Sequence, residues 1–576
     1  MSRQENWNKP ATTDLQSKPR RTLVPRGLFN RWRAVVTSSV TVALLVGPLL
    51  VSPLSQPDAA ASQAPSRARL ILVVVMDGLR PDSINREDTP TIFRLREEGV
   101  NFINSHSVFP TVTRVNSAAI STGHYPDVNG LVSNSMFVPE VNPTRPINTS
   151  DYRQLLQMRD ATEGRLLFVP SMAEYLKSHG IRFAAVSSGS TGSALLLNHR
   201  APEGVGVLIN GNFEPGKRAA YPDDVSAAVI SRFGVAPKEE NSEAVDWADR
   251  VLREYVLPEL KPDVVIDWQT EPDGAQHSHG TGSKEARAAL ANDDRNLALT
   301  LDKLRELGLG DKTDVIIISD HGFSLHSFKA DATRALIDAG LKSSAESTDV
   351  VLASNGQSVL VHVKNRDPQR IRNIVRFLQA QDWVDVVFTH ERRPAGATGA
   401  TGPRRRTADE TGWVAGTFSL ELIRQVNAHR GPDILFTLPW SSGVNAYGVP
   451  GKQHTEGAGG TGALNGTASG HGGLSPWLVH NTMIMWGPDF KRGIVIRLAS
   501  GNVDVAPTVL RLKGEAAGES LGGRVLAEAL LTGPDEEKIQ TETKILKTQG
   551  VGRYSAAVQV TDVAGHRYID KGWRTR

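Results

Sequence analysis

Short continuous apolar runs recur along the chain, too brief for buried helices and lacking the alternation of a strand with one face in water. RLILVVVMDG, residues 69–78, is the clearest and predicts a parallel strand buried on both faces. VLIN at 207–210, DVVIDW at 263–268, TDVIIIS at 313–319, SVLVHV at 358–363, DILFTL at 433–438 and NTMIMWG at 481–487 carry the same signature. Between them the apolar period lengthens. TPTIFRLREEG opens on Thr89 and Pro90 and closes on Gly99, while KEARAALANDDRNLALTLDKLRELG repeats apolar residues at three- and four-residue spacing up to Gly308. Both predict helices. Buried strands alternating with helices predict an α/β fold, a central and mostly parallel sheet covered by helices on both faces.

Two stretches break the pattern. Residues 392–412 and 451–470 are rich in Gly, Thr, Ala and Pro, which predicts loop insertions across about 390–470, the first of them without a role. From Pro534 onward, YSAAVQVTDVAGHRYIDKG reads as a hairpin added at a sheet edge. The organisation expected is a leader over 1–61, a polar linker over 62–68, the main domain over 69–533 and the hairpin tail over 534–576.

The leader changes the picture of charge and destination. Eight Lys or Arg precede residue 34, the 18-residue run AVVTSSVTVALLVGPLLV follows, and small residues surround Ala59, Ala60 and Ala61. That is the order of an export signal, with a retained membrane anchor as the alternative. Either way the rest of the chain is expected outside the cytoplasm: periplasmic, secreted or associated with the cell envelope. Residues 1–61 hold eight basic and three acidic side chains, which leaves 57 against 59 in the remainder where the whole chain has 65 against 62. The basic surplus belongs to the leader, so no polymeric nucleic acid is expected as a partner.

Ligands of such sheets bind beyond the carboxyl ends of the strands. Three strand ends carry acids, Asp77, Asp273 and Asp320, the last followed by His321. A lone Asp there is ordinarily a turn or a helix cap; three together with a histidine point to a site. The chain has no cysteine, so a metal must be held by Asp, Glu, His or hydroxyl oxygen. Asp77, Asp320 and His321 suit one divalent cation. Asp273 and His277, spaced for one helical turn, suit a second, with His471 of GHGGLSPW as its third ligand and His454 as the competitor. The nucleophile must be a hydroxyl. Thr111 and Thr113 of FPTVTRVNS both stand where an irregular segment meets a helical one, and exposed N–H groups at a helix start attract phosphoryl oxygen.

Taken in order, VVMDGLRPD, TPTIFRLREEGVNFINSHSVFPTVTRVNS, STGHYPDVNGLVSN, EPDGAQH, SDHG, GHGGLSPW and VDVAPTVL resemble the alkaline phosphatase superfamily, most closely its nucleotide pyrophosphatase/phosphodiesterase branch. The likeness runs from about residue 69 to about 515. It implies an alkaline phosphatase-like domain with two divalent metal ions, zinc being the usual metal. One ion is matched to Asp77, Thr113, Asp320 and His321, the other to Asp273, His277 and His471. The family pattern FPTxT selects Thr113 as nucleophile over Thr111, and Asn134 matches the residue that donates to the phosphoryl oxygen.

What the resemblance implies is hydrolysis of a small-molecule phosphoester through a covalent phosphothreonine, with phosphodiesterase or nucleotide pyrophosphatase activity first. Many relatives carry an aromatic residue after the nucleophile, where this chain has Arg114. Arg114 suits binding of the substrate's phosphate, which makes an alkaline phosphomonoesterase the alternative. A sulfatase would need Cys or Ser in a C/S-x-P-x-R setting, and none occurs. A non-catalytic envelope binding protein would show missing ligands, and all seven positions hold competent residues.

Overall fold

Side chains along the strand Leu70–Met76 alternate between two cores, which is why every one of its seven residues is buried. Ile71, Val73 and Val75 join a cluster with Ala118, Ile120 and Leu195; Leu72, Val74 and Met76 join another with Ile92, Leu95, Leu290 and Leu297. The first cluster is covered by the helices Thr113–Thr122 and Thr191–Leu197, the second by Pro90–Glu98 and Lys284–Glu306. The computed structural model describes residues 66–391 and 410–575, apart from 465 and 467. The leader and most of the 392–412 insertion therefore lie outside the described residues.

The central sheet has nine strands. In spatial order they are Ile494–Ile496, Val100–Phe102, Met483–Trp486, Thr313–Ile318, Leu70–Met76, Val264–Gln269, Phe183–Ser187, Val207–Glu214 and Arg218–Tyr221. Only Met483–Trp486 and Arg218–Tyr221 run against the others. With helices on both faces this is the expected α/β sheet, mostly parallel, as in the alkaline phosphatase-like fold.

Three expectations need correction. Ser358–Val363 and Ile434–Thr437 are strands, but they pair antiparallel with each other in a separate five-stranded sheet. An apolar run reports burial on both faces and not the identity of its neighbour. Within 451–470, Pro450–Glu456 is a strand that pairs in parallel with Ser324–Ala330. Glycine density suggested a loop there, yet Gly451, at φ 107°, leaves room for the Trp477 ring. Finally, the tail does contain the hairpin Ala556–Val563/His566–Arg574, turned through Ala564 and Gly565 with positive φ at both. It extends no edge. With Thr541–Lys547 it makes its own three-stranded sheet.

Phe183–Ser187, FAAVS, is a central strand that the apolar pattern did not single out, because two alanines dilute its signal. Among the described residues no helix is long and apolar enough to cross a membrane.

Candidate functional site

Parallel register brings three strand ends together. Leu70–Met76 pairs with Thr313–Ile318 on one side and Val264–Gln269 on the other, Val75 opposite Ile318 and Met76 opposite Gln269. The chain therefore delivers Asp77, Asp320 and His321 to one place and opens the helix Asp273–His279 beside them. One turn of that helix sets His277 Nε2 3.4 Å from Asp273 Oδ2. His471 arrives from the far side, where Ser469–Gly470 pairs with Ser324–Leu325. Gly472, which follows it at φ 113°, leaves no space for a side chain, since a Cβ would lie 2.0 Å from the Asn355 carbonyl oxygen.

The three histidines are oriented alike. Each Nδ1 faces a backbone carbonyl: Gly322 at 3.2 Å from His321, Ser469 at 3.0 Å from His277, and Thr111 at 3.0 Å from His471. A nitrogen against a carbonyl must carry the proton, so in each neutral ring Nε2 presents its lone pair. These lone pairs face carboxylate oxygens that are themselves without a donor. His321 Nε2 is 3.1 Å from Asp320 Oδ2 and 3.5 Å from Asp77 Oδ1, and His471 Nε2 is 3.5 Å from Asp273 Oδ1. All three oxygens are buried and lack a hydrogen-bond partner. His277 Nε2 and His471 Nε2 also meet at 3.2 Å, while the rings of His321 and His471 stack at 3.6 Å.

Acceptor facing acceptor in a buried pocket is unfavourable unless a cation lies between them. The electrostatics agree. Burial, then Asp320 and Asp273, push the Asp77 carboxyl far above its ordinary range; burial raises Asp320 to about 7 against the amide of Gly78. Burial also raises Asp273, although His277 and Arg114 oppose it, and burial with neighbouring positive charge holds His321 and His471 well down. The donor set of carboxylate oxygens and neutral imidazoles fits zinc or a similar divalent ion. Asp77, Asp320 and His321 form one converging group, and Asp273 and His471 form another that shares His321.

The remaining oxygens are tied down. Asp77 Oδ2 accepts from Trp268 Nε1 at 3.2 Å, and Asp320 Oδ1 accepts from the amides of Gly78 and His321 at 3.0 and 2.9 Å. Asn502 Nδ2 donates to the Asp320 carbonyl at 2.8 Å. Such outer contacts aim the ligands. Trp268 and Asn502 were not legible in the sequence, because their roles exist only once distant segments meet.

Thr113 is the first residue of the ten-residue helix Thr113–Thr122, and its Oγ1 lies 3.2 Å from His321 Nε2. Thr111 is occupied elsewhere: its hydroxyl donates to the Gly473 carbonyl at 3.0 Å and accepts from the Gly472 amide at 3.1 Å. Asn134 Oδ1 accepts from the Arg114 amide at 3.0 Å, which leaves its Nδ2 as the end able to donate. Burial lowers the Arg114 guanidinium while Glu240, Asp77, Asp273 and Asp320 raise it, and its Nε is buried without a partner. His454 is not part of this group. It sits against Phe328, ring centres 4.7 Å apart, in the sheet of Pro450–Glu456.

The type I phosphodiesterase / nucleotide pyrophosphatase family matches residues 71–403. The chain is 28% identical over 262 residues to human ectonucleotide pyrophosphatase/phosphodiesterase family member 1, covering 45% of this chain and 24% of that protein. It is 25% identical over 257 residues to venom phosphodiesterase 2 of Crotalus adamanteus, covering 44% and 26%. The chain thus matches about a quarter of the length of either relative. His471 lies beyond the family match and is joined to the group by geometry alone. With more than half of its residues matched, the chain belongs to the type I phosphodiesterase / nucleotide pyrophosphatase family, within the alkaline phosphatase superfamily.

Proposed function

We propose that the protein is an exported, metal-dependent phosphodiesterase or nucleotide pyrophosphatase that works through a phosphothreonine at Thr113. The observation that carries this reading is the set of partnerless carboxylate oxygens facing imidazole lone pairs, with the Thr113 hydroxyl beside them, 3.2 Å from His321 Nε2. Asp77, Asp320, His321 and Thr113 would hold one cation, and Asp273, His277 and His471 the other. When bound, the cations, zinc by family resemblance, supply Lewis acidity that acidifies the Thr113 hydroxyl and offsets charge on the departing oxygen.

Thr113 Oγ1 attacks phosphorus in line; its bond to phosphorus forms as the bond to the leaving oxygen breaks. Water then attacks from the vacated side, the Oγ1–phosphorus bond breaks, and the configuration at phosphorus is retained overall. Asn134 Nδ2 and the Thr113 amide at the helix start are the donors for the non-bridging oxygen as charge builds. Export rests on the leader pattern of residues 1–61 and on the ectoenzyme named among the relatives.

A phosphomonoesterase is the second reading, favoured by the buried and unpartnered Nε of Arg114, which suits an extra anionic oxygen. The test compares bis-p-nitrophenyl phosphate, p-nitrophenyl phosphate and a nucleotide 5′-ester on zinc-loaded protein, with Thr113→Ala as control. Diester turnover that vanishes in Thr113→Ala is expected. Full activity in Thr113→Ala would remove the nucleophile, and a metal-loaded protein inert on all three substrates would remove the enzyme.

A further inference from the structure

A second cavity lies at the opposite end of the central sheet from the metal cluster. It has a volume of about 540 Å³, and Arg94, Arg305, Lys491, Arg492, Trp486 and Leu304 are among its lining residues. Thr313, also in its wall, is the first residue of the strand that ends just before Asp320. Strand rise places the two sites roughly 20 Å apart. The volume is that of a small-ligand site and far exceeds a packing void.

Its chemistry is lopsided. Four cationic side chains line it against one acid, Asp311. Three of the cations have partners outside the cavity: Arg94 with Glu98 at 3.1 Å, Lys491 with Asp535 at 3.6 Å, and Arg305 with Asp302. Five of these six side chains are 47–64% exposed, if Lys491 at 19% is set aside. Such exposed surface pairs contribute little, so an incoming anion can recruit the cations. Arg492 has no ion pair among the described residues. Gly310 makes room for the Arg305 stem, since a Cβ there would lie 2.8 Å from Arg305 Cγ. Trp486 and Leu304 give the cavity an apolar side, and a tryptophan face also favours a flat or aliphatic group.

Cations on one side and apolar surface on the other select a ligand with both features. We propose that this cavity binds a phosphate or phosphonate group carried on an apolar body, at a site separate from catalysis. Arginine forks hold the anionic oxygens and Trp486 covers the apolar part. The source of that group is either a soluble organophosphate or an anionic phospholipid headgroup.

Two binding measurements on the metal-loaded protein separate these sources. One titrates phenylphosphonate, which has no ester to cleave; the other sediments the protein with phosphatidylglycerol/phosphatidylcholine vesicles. Each is repeated with Arg305→Glu/Arg492→Glu, whose melting temperature and diester turnover are expected to match the parent. A phenylphosphonate binding step weakened at least about tenfold in the double variant supports a soluble ligand, being the loss of one arginine contact or more. Vesicle binding lost in the double variant supports the headgroup. Binding by parent and double variant that is equal in both assays would overturn the proposal.

Discussion

Two histidine–aspartate clusters form in this chain, and they are built on opposite rules. At His106, His480 and Asp570 every acceptor of the carboxylate meets a donor. Asp570 Oδ1 is 2.8 Å from His106 Nε2, and Oδ2 accepts from Thr561 Oγ1 at 2.8 Å and Gln559 Nε2 at 3.1 Å. His106 Nδ1 faces the Ser500 carbonyl at 2.8 Å, so both ring nitrogens point at acceptors. Burial and the charge on His106 hold the neighbouring His480 ring down to about 3. This cluster is an ion pair that fastens the tail sheet to the strand Ser105–His106. Around Asp77, Asp320 and Asp273 the inner oxygens have no donor at all. Residue types alone do not tell a metal site from an ion pair; the direction of the lone pairs does.

The sharpest test of that contrast is metal removal. Chelation, or Asp320→Asn, is expected to abolish turnover on a diester, with metal content by elemental analysis falling in step. His480→Ala, beside the Asp570 pair, is expected to leave bound metal unchanged, and a lost equivalent of zinc there would erase the distinction. Next in size, Asp570→Ala leaves the buried His106 ring without its carboxylate partner, a loss of about 3–5 kcal/mol in denaturant unfolding. Turnover by the folded fraction should persist. Asn134→Ala is expected to lower kcat on the order of 100-fold while metal content holds, because it removes one donor to the phosphoryl oxygen.

The smallest effect is a pH dependence. Burial pushes Asp570 up, but the hydrogen bond and charge of His106, with Thr561 and Gln559, outweigh it and hold the carboxyl below its ordinary range. A depressed carboxyl stabilises the fold above the unfolded-state value of about 4 and loses that contribution as pH falls below it. Melting temperature should therefore drop below about pH 4 more steeply in the parent than in Asp570→Asn. Equal slopes would mean that the pair contributes nothing.

Much of the Asp77, Asp320 and Asp273 side of this comparison was readable beforehand. Asp77, Asp320 and His321 stand at the ends of apolar runs, and Asp273 and His277 at helical spacing, so strand and helix geometry placed them before any tertiary contact was known. Asp570 gave no such signal. It lies on an alternating strand, and its partner His106 is more than 450 positions away, reached only because the tail folds into a sheet of its own. The same limit explains Ser358–Val363 and Ile434–Thr437, whose apolar runs announced burial but not the antiparallel partner.

By itself the sequence determined the α/β class, the strand ends that carry acids and the helix start that carries Thr113, because hydrophobic period and local spacing are properties of the chain. The tertiary structure decided which histidine turns toward which carboxylate. It committed the Thr111 hydroxyl to the loop of His471 and left that of Thr113 facing His321. It also separated the cluster whose inner carboxylate oxygens lack a hydrogen-bond partner from the one whose carboxylate oxygens both have partners. Those outcomes depend on hydrogen bonds between residues hundreds of positions apart, which no local pattern encodes.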